Sequence, residues 1–391
     1  MEKRLVYLDN SATTRISQEA LAVYSEASIG CFGNPSSLHT LGHDAEKLIK
    51  GARDILLNSL MAKGSRVIFT SSGSEANNLA IMGRAYSKER YRRSAKIITT
   101  EGEHASVNSP LERLASEGFR IAKIPTRGGT VDLDALAREL TPDTILVTVM
   151  MVNNESGALY NIKAISDLTK RMAPEALLHV DATQSFMKIP FTQKSIGADM
   201  ITVSSHKIHG PKGVGALIVS ESVFTKKGLS PIIYGGGQEY GLRSGTENAP
   251  AIAAFGKAVE IEAGALTENI EKMRSLRNYL IEKLTRTPAL SEISITDPKN
   301  SAPHILNITL PKIKSETMLH YLSSENIFVS SGSACSSNSQ HKTSALVAYG
   351  RSEAEADTSI RISFSHENEK EDIDRLCEAL AEGLSRLSRI R

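Results

Sequence analysis

One cysteine, Cys335, lies in the run Val329-Ser330-Ser331-Gly332-Ser333-Ala334-Cys335-Ser336-Ser337-Asn338. Small polar neighbours make an exposed, mobile loop its expected setting. A thiol of ordinary pKa near 8.5 is partly thiolate at neutral pH and therefore nucleophilic. Packing cysteines prefer apolar surroundings, and Cys335 has none, so a reactive thiol is expected. Lys207 is the second candidate. It sits in VSSHKIHGPKGVG (Val203–Gly215), flanked by Ser204, Ser205 and His206, after an apolar run. A lysine at a strand end facing a cleft can lose its proton by burial and attack a carbonyl; a Schiff base to pyridoxal phosphate (PLP) is one use, a surface loop lysine the plainer one. Lys212, between Pro211 and Gly213, is a second lysine for that role, although its turn suggests a structural one. His206 and His209 also suggest metal ligands, but no carboxylate or cysteine follows nearby, and no metal site is expected.

Three further groups stand where apolar runs end. Asp181 directly follows Leu177–Val180 (LLHV) in HVDATQS. A carboxylate there is costly to desolvate without a partner; a protonated ring nitrogen would serve, and so would the role of helix N-cap. His104, in TTEGEHASVN after KIIT, can stack on a flat ring or shuttle a proton, or simply bond locally at a helix start. In Thr70–Glu75 (TSSGSE), Gly73 permits close backbone approach, Ser74 offers a hydroxyl, and a helix N-terminus favours an anion such as phosphate. Taken alone, the same residues read more simply as a capped helix start, with Ser72 or Ser74 as the cap and Glu75 in the first turn. No GxxxxGK[ST] motif is present, so this is not a P-loop.

The elements that position these groups follow from apolar runs alternating with helical patterns. Strands are expected at Arg66–Thr70, Lys96–Thr99, Phe119–Ile124, Ile145–Val152, Leu177–Val180, Met200–Val203 and Gly215–Val219, with a helix over Glu75–Ala85. This α/β alternation implies a largely parallel sheet with helices on both faces, and ligands in such sheets bind beyond the carboxyl ends of the strands. From about residue 248 the pattern changes to helices at 248–263 and 267–287, a strand at Ile305–Leu310, a helix at Ser315–Ser324, a strand pair and a helix at 369–387. Two units are therefore expected: a large domain over 15–255, and a smaller α+β domain over 256–391 against which residues 1–14 pack.

Size and composition agree. A chain of 391 residues exceeds what one core usually holds. Formal net charge is +2, so no overall field points to nucleic acid or an anionic membrane. The basic run at 88–93 (KERYRR) reads as a solvated helix end. No apolar run approaches the roughly 18 residues needed to span a bilayer, and MEKRLVYLDN is too polar for a signal core, which leaves a cytoplasmic location. Cys31, Cys335 and Cys377 are too few and too scattered for a disulfide framework; Cys377 reads as a small core residue and Cys31 as packed in a turn.

Taken in order, YLDNSATT (Tyr7–Thr14), FGNPSSLH (Phe32–His39), EGEHASV, VNNESG (Val152–Gly157), HVDATQS, SSHKIHGPKG, GGGQEYGLRSGTEN (Gly235–Asn248), SSGSACSS and SIRISFS (Ser359–Ser365) resemble the blocks of the NifS/IscS cysteine desulfurases. These are class V aminotransferases of PLP fold type I, the aspartate aminotransferase-like fold. The resemblance implies that Lys207 holds PLP as a Schiff base, Asp181 pairs with the ring nitrogen, Gln184 bonds the ring hydroxyl and His104 stacks on the ring. It assigns Gly73, Ser74, Ser204 and His206 to the phosphate, with Thr246 reaching the phosphate of the other subunit of a homodimer. It gives the L-cysteine carboxylate to Asn154 and Arg361, and makes Cys335 the acceptor of sulfur, leaving L-alanine. The onward acceptor would be a protein such as an iron–sulfur scaffold or a tRNA-thiolation enzyme. A selenocysteine lyase or another PLP-dependent transferase, such as a transaminase, is the nearest alternative; an inactive scaffold paralogue is a different class. Departures from the family pattern are Cys31 before FGNP, the stretch 340–349, and Phe364-Ser365-His366-Glu367 after SIRIS.

Overall fold

The computed structural model describes residues 4–88, 94–331 and 345–387. Cys335 and most of the basic run at 88–93 lie outside them. In chain order the elements are β1 (Val6–Tyr7), α1 (Gln18–Gly30), α2 (Thr40–Ser59), β2 (Arg66–Thr70), α3 (Gly73–Ser87), β3 (Lys96–Thr100), α4 (Ala105–Ser116), β4 (Arg120–Ile124), α5 (Leu133–Glu139), β5 (Thr144–Met150), α6 (Ile162–Met172), β6 (Leu177–Asp181), α7 (Gln193–Ile196), β7 (Met200–Ser204), β8 (Gly215–Val219) and α8 (Glu221–Thr225). The second half adds α9 (Ala249–Gly264), α10 (Leu266–Arg286), β9 (Ser294–Thr296), β10 (Ile305–Thr309), α11 (Ser315–Ser324), β11 (Ile327–Phe328), β12 (Ser330–Ser331), α12 (Ala345–Tyr349), α13 (Glu353–Asp357), β13 (Ser359–Ser363) and α14 (Lys370–Leu387).

Seven strands form the large sheet in the order β2-β8-β7-β6-β5-β3-β4. Strands β3 to β7 pair in parallel, and β8 runs antiparallel to both β2 and β7. With both its neighbours opposed to it, β2 points the same way as β7. The carboxyl ends of β2, β3, β5, β6 and β7 therefore share one edge, the edge where a doubly wound sheet binds ligands.

Strand side chains alternate between faces, and the sheet has a separate core on each. Val67, Phe69, Ile201, Val203 and Ile218 belong to one cluster. Their alternates Ile68, Met200, Leu217 and Val219 belong to the other. Burial on both faces is why these strands read as unbroken apolar runs. Helices α1 and α2, which the sequence reading left unassigned, pack on α9.

The smaller unit is a four-stranded antiparallel sheet, β12-β13-β10-β9. Its core joins Leu306, Ile308, Ile360 and Ile362 to Leu276 and Leu280 of α10, Met318 and Leu322 of α11, and Leu376, Cys377 and Leu380 of α14. Burial pushes the Cys377 thiol up to about 12, as expected of a core residue. The N-terminal segment joins this unit: β1 pairs with β11, and Asp9 bridges Ser363. Helix α9 runs unbroken across 255–256, and its Ile252, Phe255, Ala258 and Val259 belong to the large core. We propose setting the domain division at the α9–α10 junction, near Ala265, rather than at 255.

Candidate active site

Asp181 ends β6 and is buried. Its Oδ2 accepts from Asn77 Nδ2 of α3 at 2.8 Å, and its Oδ1 from the Thr183 backbone N–H at 2.9 Å. Beneath it a buried polar chain crosses three strands: Thr148 Oγ1 lies 2.8 Å from His179 Nδ1, and His179 Nε2 lies 2.9 Å from Thr202 Oγ1. Burial lowers the His179 pKa, so the ring stays neutral below the carboxylate.

Lys207 closes the short turn after β7. Its Nζ donates to the carbonyls of Ser11 and Ala12 at 2.5 and 2.7 Å. Burial, reinforced by the charges of Lys188 and Arg361, lowers its pKa to about 7, so an amine free to act as nucleophile or base is present at neutral pH. Lys212 is exposed. His206 Nδ1 lies 3.1 Å from Thr13 Oγ1, and burial lowers its pKa to about 4.

At the next strand end, Ser72 caps α3 by accepting from Glu75 N–H at 3.1 Å. The cap and the candidate anion seat are thus the same turn. A Cβ on Gly73 would lie 3.2 Å from Thr183 Oγ1 and 3.3 Å from Ser204 Cβ, tighter than ordinary packing, so glycine eases the close approach of the helix start to β7. His104 caps α4 and accepts from Ser106 N–H at 3.1 Å. It is exposed, yet the protein around it still lowers its pKa by desolvation. Ser74 and His104 line the same open cleft, of about 500 Å³.

Arg361 lies on β13, in register with Ser330 of β12. Its Nη1 donates to the Asn154 backbone carbonyl and its Nη2 to Asp9 Oδ1, both at 3.0 Å. Asn154 and Arg361, expected to act together, are therefore in contact. Gln184 donates from Nε2 to the Ser11 carbonyl at 2.9 Å. Thr246 is exposed, with no hydrogen bond to Gly73, Ser74 or Ser204; its loop is tied to α3 through Arg243 and Glu75, 2.9 Å apart.

The fit to PLP can be tested on buried polar atoms. Ser204 Oγ and Gln184 Oε1 are buried with no partner among the described residues, a state proteins generally avoid. Both lie on the ligand edge, one beside the start of α3 and one three residues from Asp181. A phosphate and a ring hydroxyl would satisfy them, and the donor set fits the cofactor.

A family model for aminotransferase class-V matches residues 6–376. The chain belongs to this family. Within it, the chain is of the NifS/IscS cysteine desulfurase kind. It is 38% identical over 383 residues to "Cysteine desulfurase IscS 1" of Archaeoglobus fulgidus, covering 97% of each chain. A solved NifS-like protein superposes with a TM-score of 0.90 at 34% identity, covering 98% of this chain and 100% of that one. A structure titled "SspA in complex with cysteine" matches with a TM-score of 0.77 at 32% identity, over 93% of this chain and 99% of that one. Enzymes of this family are PLP-dependent, and these neighbours carry the fold type I architecture expected from the sequence.

Four residues of the site escaped sequence reasoning. Asn77 and Thr183 hold Asp181. Glu103 is buried; its Oε1 accepts from Thr100 Oγ1 at 2.5 Å and from Met150 N–H at 2.9 Å, and burial pushes its pKa up to about 8. Lys188 is buried, its Nζ has no hydrogen-bond partner among the described residues, and burial lowers its pKa to about 8. Only Lys188 had a local signal, as a lone charge inside the apolar run FMKIPF.

Proposed function

We propose that this chain is a PLP-dependent cysteine desulfurase that takes sulfur from L-cysteine onto Cys335 and leaves L-alanine. The observation that carries the reading is the convergence of Lys207, with an amine lowered to about 7, and the buried Asp181 carboxylate on one edge of the sheet.

When bound, PLP supplies an electron sink for the bond changes at the amino acid. Lys207 would hold the cofactor through its amine and, with its pKa lowered to about 7, would serve as the base for the substrate α-proton. Asp181, held by Asn77 and Thr183, would present a fixed negative charge to the ring nitrogen and so favour its protonated form. Ser204, Ser74 and the start of α3 would hold the phosphate, joined by His206. Gln184 would accept from the ring hydroxyl through the unpartnered Oε1, and His104, which lines the cleft, would contact the ring. Arg361 offers its fork to the substrate carboxylate beside Asn154. The thiolate of Cys335 attacks the substrate sulfur: an S–S bond forms as the C–S bond breaks, and the carbon left behind is protonated to alanine. Cys335 follows Ser331 by four positions, a chain reach of at most about 14 Å, and β12 is registered on Arg361. A relative's structure titled as a complex with cysteine supports the same substrate.

The sulfur would pass to an acceptor protein such as an iron–sulfur scaffold or a tRNA-thiolation enzyme. Thr246, exposed and apart from the phosphate seat, fits a homodimer in which it serves the other subunit. No described helix is long and apolar enough to cross a membrane; a cytoplasmic location is part of this proposal. The test is alanine release from L-cysteine by the purified, PLP-loaded protein. Production that ceases in Lys207→Ala supports the reading, and no alanine from a PLP-loaded wild type overturns it.

A further inference from the structure

Behind the Lys207 turn, His209, Glu262 and His366 come from three separate parts of the fold: the β7–β8 connection, α9, and the segment after β13. One ligand atom from each lies within 4.8 Å of the other two. We propose that these residues form a site for a borderline divalent cation of the zinc class, independent of the desulfurase chemistry.

The ligand geometry is close to what such an ion needs. Tetrahedral bonds of about 2.0–2.2 Å to nitrogen and oxygen place neighbouring ligand atoms roughly 3.3–3.6 Å apart. His366 Nδ1 and Glu262 Oε1 are 3.6 Å apart, too long for a good hydrogen bond and right for two ligands sharing an ion. The His209 and His366 rings have centroids 4.6 Å apart and are tilted by 50°, so they converge without stacking face to face. The separations, up to 4.8 Å, have to shorten when an ion binds.

The outer contacts point the same way. His209 Nδ1 lies 3.0 Å from the Arg15 carbonyl. A carbonyl can only accept, so Nδ1 carries the proton and Nε2 keeps its lone pair. The His209 backbone N–H is itself held by Thr14 Oγ1 at 2.8 Å. Glu262 Oε2 accepts from Asn269 Nδ2 at 3.1 Å, leaving Oε1 available. Metal-binding histidines and carboxylates characteristically have such partners. His209 and Glu262 are buried and His366 is half-buried, which gives an ion an entry path and leaves a position for water.

Sequence reasoning dismissed His206 with His209 because no other ligand followed nearby; the fold supplies Glu262 and His366 from far along the chain. The rival reading is that Glu262 serves only as a counter-ion to Lys188, with His366 packed beside it. A bound ion would pin the turn that carries Lys207 to α9 and to the segment that follows the Arg361 strand.

The test uses full-length PLP-loaded protein, freed of excess cofactor and stripped of metal with a chelator. Titration with Co²⁺ is expected to give one equivalent with a visible d–d band, displaced by Zn²⁺, and Zn²⁺ should raise Tm. His366→Ala, at a half-buried position, should weaken binding at least tenfold and remove the Tm increase, with far-UV circular dichroism unchanged. Glu262→Gln should weaken it likewise, while His43→Ala, at an exposed histidine–glutamate pair, should not. No Co²⁺ binding by wild type, or binding that His366→Ala leaves unchanged, overturns the site and returns Glu262 to the role of counter-ion.

Discussion

The Arg361 guanidinium donates from Nη2 to Oδ1 of Asp9 at 3.0 Å, joining the centre of the small sheet to the N-terminal segment that also holds Lys207. With Nη1 on the Asn154 carbonyl, the fork is fixed in place, and its Nε is buried with no partner among the described residues. Arg361→Ala should raise KM for L-cysteine about 10- to 100-fold, in line with the roughly 1.5–3 kcal/mol of a hydrogen bond to a charged group. Arg361→Lys should not restore it, because a point charge cannot reproduce the fork. Steady-state kinetics decides; an unchanged KM in both variants removes Arg361 from substrate binding.

Lys207 gives a pH dependence with a definite sign. Its pKa is lowered to about 7, so the free amine increases as pH rises through 7. Capture of PLP by the cofactor-free protein, followed by visible absorption, should accelerate across that range and level off above about pH 8. Lys207→Ala should give no such absorption, whereas Lys212→Ala, at an exposed position, should keep it. The reverse pattern would move the linkage to Lys212.

Asp181→Asn keeps the size of the side chain and removes its charge. Turnover should fall at least about 100-fold, equivalent to about 2.7 kcal/mol of transition-state stabilisation, while far-UV circular dichroism stays unchanged. A loss below tenfold would mean that the ring nitrogen does not depend on this carboxylate. Asn77→Ala, which removes the 2.8 Å contact to Asp181 Oδ2, should give a smaller loss in the same direction.

Glu103 makes a prediction about stability. Its folded pKa is raised to about 8 from an ordinary 4.5, so between those values the unfolded chain has released a proton that the folded chain keeps. That contribution is fully present below 4.5 and is lost as pH rises toward 8, with a slope of up to about 1.4 kcal/mol per pH unit. Glu103→Gln should fold, keep the contact from Met150 N–H, and lack this slope in urea denaturation across the same range. Identical slopes in the two proteins would mean that Glu103 is ionised in the fold.

The large sheet was legible because its strands are buried on both faces and read as short apolar runs. The residues at their ends, Asp181, Ser204, Lys207 and His104, were legible because polar groups there break the pattern. What the sequence concealed were partners set by distant pairing. Asn77 looks like any helical asparagine until α3 is laid across β6. Glu103 looks like a loop acid until Met150 N–H is placed beside it. Helices α1 and α2 are not evident in the sequence: α1 has almost no apolar face, burying only Ala20 and Ala27, although Ser17 and His39 cap the two helices. The antiparallel placement of β8 was equally invisible, since a buried strand has the same composition in either direction.

The most direct test of the account is the fate of the sulfur atom. PLP-loaded protein is given one equivalent of L-cysteine without reductant, alanine is quantified, and the peptide containing Cys335 is examined by mass spectrometry. The account predicts about one alanine per chain and one added sulfur on Cys335, with neither in Lys207→Ala and no protein-bound sulfur in Cys335→Ser. Alanine formed at the wild-type rate by Cys335→Ser, or added sulfur found on Cys31 instead, would contradict it.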